Sequence, residues 1–185
     1  MHLYGSSLHL VKCTERIAGP SSRRTGSAAK WEVFRMAHRL FTVSEANALV
    51  PFLEGHLRRL QELQRQAQSH FEEMERIKAV GYKPDGKLIL QRDFQDTRDA
   101  FDRSVAEANA RIADINRTGC QLKSVESGLV DFPSVLEEHE VLLCWKLGED
   151  LLRHYHSPLE GFDGRRPLPD WALPQESGDP NANAS

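Results

Sequence analysis

An apolar stripe that recurs at three- and four-residue steps from Ala46 to Ile77 constrains this chain more than any other feature. Ala46, Leu49, Leu53, Leu60, Leu63, Ala67, Met74 and Ile77 carry it, and Val50, Leu57 and Phe71 widen it. That spacing returns each side chain to one side of an α-helix but scatters them over both faces of a strand, so only a long helix can bury the stripe. Just upstream, Thr42-Val-Ser-Glu45 has the pattern of a capping box with Phe41 in the staple position, which sets the helix start at Thr42 or Ser44. Pro51 lies inside the pattern and, lacking an amide hydrogen, is expected to kink the first turns.

Gly81 and Pro84-Asp85-Gly86 stop this helix and turn the chain. A second stripe then follows through Phe94, Phe101, Val105, Ala108, Ile112 and Ile115, closed by Gly119. Glu54-Arg58, Glu72-Arg76, Asp99-Arg103 and Glu107-Arg111 place each acid four residues before its arginine, the favourable order on a solvated helix face. Helices of about 36 and 28 residues, at ~1.5 Å per residue, outrun what one small sheet can cover. The excess stripe calls for a further partner, most simply a second copy that pairs the hairpins, coiled-coil fashion, into a four-helix homodimer.

After Gly119 the composition shifts to Val, Leu, Phe and Trp. Gly128 to Pro133, Val141 to Trp145 and Leu151 to Tyr155 are strand-length runs bounded by Gly148, Ser157-Pro158 and Pro133, the last expected to stop its strand because proline cannot donate to a ladder. The fold class read from these patterns is α+β: an elongated antiparallel helical hairpin with a small C-terminal antiparallel β-meander. One domain covers 36–171, with the hairpin at 42–119 and the meander and its loop at 120–171. The polar Pro/Gly/Asn segment 172–185 reads as a disordered tail.

Residues 1–35 hold five serines and six Lys/Arg against two Asp/Glu, with no periodic apolar face. They read as a disordered leader or a mis-assigned start ahead of Met36; an Arg/Ser-rich, acid-poor leader also suits a transit peptide. The remainder carries 18 basic against 25 acidic residues, a balance that points away from a nucleic-acid partner. No apolar run reaches the ~20 residues of a membrane span. Cys13, Cys120 and Cys144 are scattered without metal-finger spacing, which fits a reducing cytoplasm better than a secreted disulfide framework.

Groups capable of chemistry crowd between Gly128 and Leu168. His154 and His156, two apart on a strand, project from one face, and Glu126, Asp131 and Glu149 are carboxylates that complete a mixed nitrogen and oxygen site for a divalent metal ion. Against this, such a pair arises easily by chance among eight histidines. Arg165 and Arg166, on a glycine-flanked turn, have the donors to clamp an anion or to tie the loop to the sheet. Trp145 and Phe162 are candidates for a pocket wall, though aromatics beside a small sheet commonly form its core. Cys144, in an apolar run, reads as an inert small hydrophobe. His56 and His70 lie on the first stripe ~21 Å apart, too far to share an ion.

The motifs Leu40-Phe-Thr-Val-Ser-Glu-Ala-Asn-Ala-Leu49, Val125-Glu-Ser-Gly-Leu-Val-Asp-Phe-Pro133, Leu143-Cys-Trp145, Gly148-Glu149, Tyr155-His156 and Gly161-Phe-Asp-Gly-Arg165 make the chain resemble a prokaryotic family, the domain of unknown function 2203. The resemblance covers Arg39 to Leu168 and singles out Glu126, Asp131, Trp145, Glu149, His156 and Arg165. It implies an architecture and a start near Met36, and brings no activity with it. Tyr155 stands where the family pattern has tryptophan, and His154 where another residue is usual, which turns attention from the pair to His156 alone. Two functional readings follow: a dimeric helical binding or scaffold module that needs no catalytic group, and a metal-binding protein or metal-dependent enzyme centred on His156. Convergence of the polar side chains favours the second, and their dispersal the first.

Overall fold

A computed structural model of the protein describes residues 39–173. Two long helices, α1 (Val43–Val80) and α2 (Gln91–Arg117), precede a five-stranded sheet of β1 (Gln121–Ser124), β2 (Leu129–Leu136), β3 (His139–Lys146), β4 (His154–His156) and β5 (Arg166–Pro167). The strands lie in sequence order and every neighbouring pair is antiparallel, so the fold is α+β with a helical hairpin and a C-terminal meander. The leader 1–35, Met36, Cys13 and the tail from 174 fall outside the described residues.

The chain divides into two compact units, the described part of one being Arg58–Ala113. In it the stripe residues Leu60, Leu63, Ala67, Met74 and Ile77 of α1 and Ala108 and Ile112 of α2 are buried. Arg59 donates two hydrogen bonds to the Glu107 carboxylate across the hairpin, at 2.9 and 2.7 Å, and Arg111 donates to the same carboxylate at 3.0 Å. The connection is tight. Gly81 and Gly86 take positive φ, Lys83 N–H donates to the Lys87 carbonyl at 2.7 Å, and the Asp85 carboxylate accepts from Lys87 N–H. The ion-pair pattern is only partly as spaced: Glu107–Arg111 forms, whereas Arg76 pairs with Glu73 and Glu72 accepts from Gln68.

The second unit joins the described parts of Phe34–Leu57 and Asp114–Ser185. Thr42 caps α1 as its sequence predicts: Glu45 N–H donates to the Thr42 hydroxyl and the Glu45 carboxylate accepts from Thr42 N–H at 2.8 Å. Phe41 packs edge-on against Phe132 with ring centroids 5.3 Å apart. Together with Ala46, Leu53 and Leu57, the fully buried Val130, Leu143, Trp145 and Leu152 make this unit's core. Pro51 stays within α1 and leaves the Asn47 carbonyl without its helical donor.

Two strand expectations are corrected. β2 runs through Pro133 to Leu136 instead of ending at the proline. The Pro133 carbonyl accepts from Phe41 N–H at 2.8 Å, and a strand residue's N and O point to the same side, so the missing amide hydrogen faces away from β3 and beyond the reach of β1. The Leu151–Tyr155 run yields only His154–His156 as strand. Leu152 N–H is taken by the Asn47 side-chain carbonyl at 2.7 Å, which removes it from the ladder.

Candidate functional site

Strand register assembles the site. Asp131 of β2 lies opposite Cys144 of β3, Cys144 lies opposite His154 of β4, and His156 follows two residues on. Opposed residues share a sheet face, so all four side chains project to the side opposite Val130, Phe132, Leu143 and Trp145. Asp131, Cys144 and His156 converge there. Each offers one ligand-type atom, these atoms lie within 4.8 Å of one another, and all three residues are buried.

His156 is held with a defined tautomer. Its Nδ1 is 2.8 Å from the Ser157 carbonyl, which can only accept, so Nδ1 carries the hydrogen. The Ser157 turn is itself fastened, because Glu160 accepts from Ser157 N–H at 3.2 Å and from Arg166 at 2.5 Å. The Ser157 backbone bond foremost holds the exposed Glu160 carboxyl below its ordinary range. Nε2 is thereby turned to Asp131 Oδ2 at 3.3 Å. Two acceptor atoms facing each other at that separation call for a positive charge between or beside them, which a proton, an ammonium or a metal ion can supply.

The Cys144 thiol completes the group. Burial first, and then the charge of Asp131 and a hydrogen bond to it, push this thiol up to about 12, with Glu149 adding and Arg165 opposing. Cys144 is thus a thiol unless a metal displaces its proton. Lys123, on β1, places Nζ 3.8 Å from the same Oδ2 of Asp131, and its side chain is 45% exposed.

A second cluster adjoins the first. Arg165 reaches from the loop before β5 to both Glu149 carboxylate oxygens at 2.8 Å, to the Cys144 carbonyl at 3.1 Å and to His154 Nδ1 at 3.1 Å, and its guanidinium lies over the Phe162 ring at 4.9 Å. Among the described residues, Arg165 Nε is buried without a hydrogen-bond partner. Glu149 also accepts from Lys146 N–H, and its backbone carbonyl accepts from Trp145 Nε1.

The residues singled out in the sequence therefore fall into separate places. His156 and Asp131 meet; Glu149, Arg165 and His154 meet beside them. Glu126 is exposed on the β1–β2 turn and Arg166 pairs with Glu160. Trp145, considered as a pocket wall, has no exposed surface and belongs to the core on the other face, while Phe162 is 41% exposed. His56 lies against Phe52 with ring centroids 4.1 Å apart and the planes tilted by 40°. The sequence reading missed Cys144 and Lys123 as members of the site. The alternation of β3 puts Cys144 on the face away from Trp145, but only the register with Asp131 and His156 gives that any meaning.

A family described as an uncharacterized conserved protein, DUF2203, matches residues 39–168. The chain belongs to this family. No curated protein and no solved structure matches the chain. The DUF2203 match contains both hairpin helices, all five strands and every residue of the two clusters. Among the described residues no helix is long and apolar enough to cross a membrane.

Proposed function

We propose that the protein binds a divalent transition-metal ion, of which zinc is the best match, through Asp131, Cys144 and His156. The orientation of His156 carries this reading: Nδ1–H is fixed on a backbone carbonyl and Nε2 is aimed at a carboxylate oxygen 3.3 Å away. Ligating histidines characteristically donate their second ring N–H to a carbonyl or carboxylate, which fixes tautomer and ring angle. Nitrogen and oxygen ligands at ~2.0–2.1 Å from zinc in tetrahedral geometry stand ~3.3 Å apart, and sulfur at ~2.3 Å stands slightly farther from each. One thiolate, one imidazole and one carboxylate form a mixed donor set that suits zinc better than calcium or magnesium. Three protein ligands leave a coordination position for water, as in zinc enzymes, so the same centre extends to the metal-dependent enzyme reading. Protein purified without a metal-affinity tag is expected to hold zinc or take up one equivalent. Its cobalt form is expected to show thiolate-to-cobalt charge-transfer absorption that Cys144→Ser removes. Absence of any bound metal, with no uptake of zinc or cobalt, refutes the proposal.

The exposed apolar positions of the helical unit favour a second reading, a homodimeric binding module with surface left over for a protein partner. Phe71 is 41% exposed, and Phe94, Phe101 and Val105 on α2 are only half-buried. Sedimentation at tens of micromolar tests it, and a monomer overturns it.

A further inference from the structure

Charge bookkeeping around the Asp131 centre assigns a role to Lys123. Glu149 is neutralised by Arg165 at 2.8 Å and Glu160 by Arg166 at 2.5 Å. Among the described residues, Asp131 is left with Lys123 as its only cationic side chain within 4 Å besides His156, which is charged only if protonated. Without a metal, the cation that the buried Asp131 carboxylate faces from the exposed side of the centre is the Lys123 ammonium. When a divalent ion binds, the Cys144 S–H bond breaks, its proton leaves to solvent and a sulfur–metal bond forms. The two positive charges of the ion then face the Asp131 carboxylate and the Cys144 thiolate, and a second cation beside Asp131 is no longer needed.

We infer that Lys123 is a displaceable counter-ion, occupying the electrostatic place of the metal and swinging to solvent when the metal enters. The inference rests on the metal reading of the Asp131, Cys144 and His156 cluster. Three further observations suit Lys123 to the task. Its Nζ lies 3.8 Å from Asp131 Oδ2, close enough to offset that charge yet too far for a hydrogen bond to it, and its one hydrogen bond, to Gln121 Oε1, is long at 3.4 Å and exposed. Its side chain is nearly half-exposed while that of Asp131 is 3% exposed, so an outward swing needs no rearrangement of the core. It also sits at an irregularity of the β1–β2 register, between Leu122 and Ser124, and has no registered partner on β2. A metal that arrives while the ammonium remains meets a like charge a few ångströms away, and the cost of expelling that ammonium sets the affinity.

The test is calorimetric titration of zinc into the full chain and its Lys123→Met and Lys123→Arg variants, with mass-spectrometric acylation of lysines before and after zinc. Lys123→Met is expected to bind zinc about tenfold more tightly, the scale of one like charge a few ångströms away under nearly water-like screening, as suits a half-exposed side chain. Lys123→Arg, which keeps the charge, is expected to stay near the unmodified protein. Acylation of Lys123 is expected to rise severalfold on zinc addition, relative to the other lysines. Equal zinc affinity in the Lys123→Met variant and the unmodified protein, or acylation of Lys123 unchanged by zinc, overturns the counter-ion role while leaving the metal site standing. Failure of all three proteins to bind zinc overturns the metal reading beneath it.

Discussion

His156 shows how much one buried residue can decide. Its exposure is 2%, its Nδ1 is used by Ser157, and its Nε2 faces an Asp131 carboxylate that is equally buried. Removing the ring leaves that buried carboxylate without its imidazole partner, so His156→Ala is expected to lower metal-free stability by about 2 kcal/mol, the cost of leaving a buried polar group unsatisfied. Asp131→Asn, which removes the charge and keeps the shape, is expected to cost about half as much. Chemical denaturation of the two variants checks the order, and equal midpoints refute it. Cys144 answers to the same burial. With its thiol held up to about 12, it is expected to resist alkylation at pH 8 in the native protein and react readily in denaturant, as peptide mapping reports.

Among the elements, the β2–β3 hairpin carries avoidable strain. Glu137 and Glu138 connect Leu136 to His139 with φ of 48° and 65°, the left-handed conformation of a two-residue primed turn. Neither residue is suited to it, since each Cβ crowds the backbone at a cost of about 1 kcal/mol. Glu137→Asn with Glu138→Gly is therefore expected to raise the melting temperature by roughly 2–6 °C. A lower melting temperature would show that the glutamates make compensating contacts. In the helical hairpin, hydrogen bonds from Arg59 first and Arg111 next hold the Glu107 carboxyl down at about 2. A depressed carboxyl stabilises the fold fully above its unfolded value near 4.5 and loses that contribution as pH falls toward 2. Melting curves from pH 6 to pH 2 should show Glu107→Gln less stable than the unmodified protein at pH 6, with the gap closing in acid. A constant gap contradicts the assignment.

At the scale of the whole molecule, the helices keep apolar side chains exposed, Phe71 among them. Under the dimer reading, Phe71→Asp places an unpaired charge in the interface and is expected to halve the sedimenting mass, whereas Glu75→Gln, on an exposed position, leaves it unchanged. The extent of both helices, the cap at Thr42 and the turn at Gly81 to Gly86 could be read directly from the chain. They depend on backbone propensity and on a period shorter than four residues, which are local properties. The number of short strands, the passage of β2 through Pro133 and the shortening of β4 could not, because each depends on what lies alongside: Phe41 against Pro133, and Asn47 against Leu152. The site divides in the same way. That His156, Asp131 and Arg165 carry polar chemistry in an apolar stretch is plain from residue type. Which of them meet, that Glu149 serves Arg165 rather than His156, and that Cys144 and Lys123 join Asp131 were decided by strand register and by the path of the loops that carry Glu149 and Arg165. Register brings together residues far apart in the chain, and a slip of one residue turns every side chain to the opposite face.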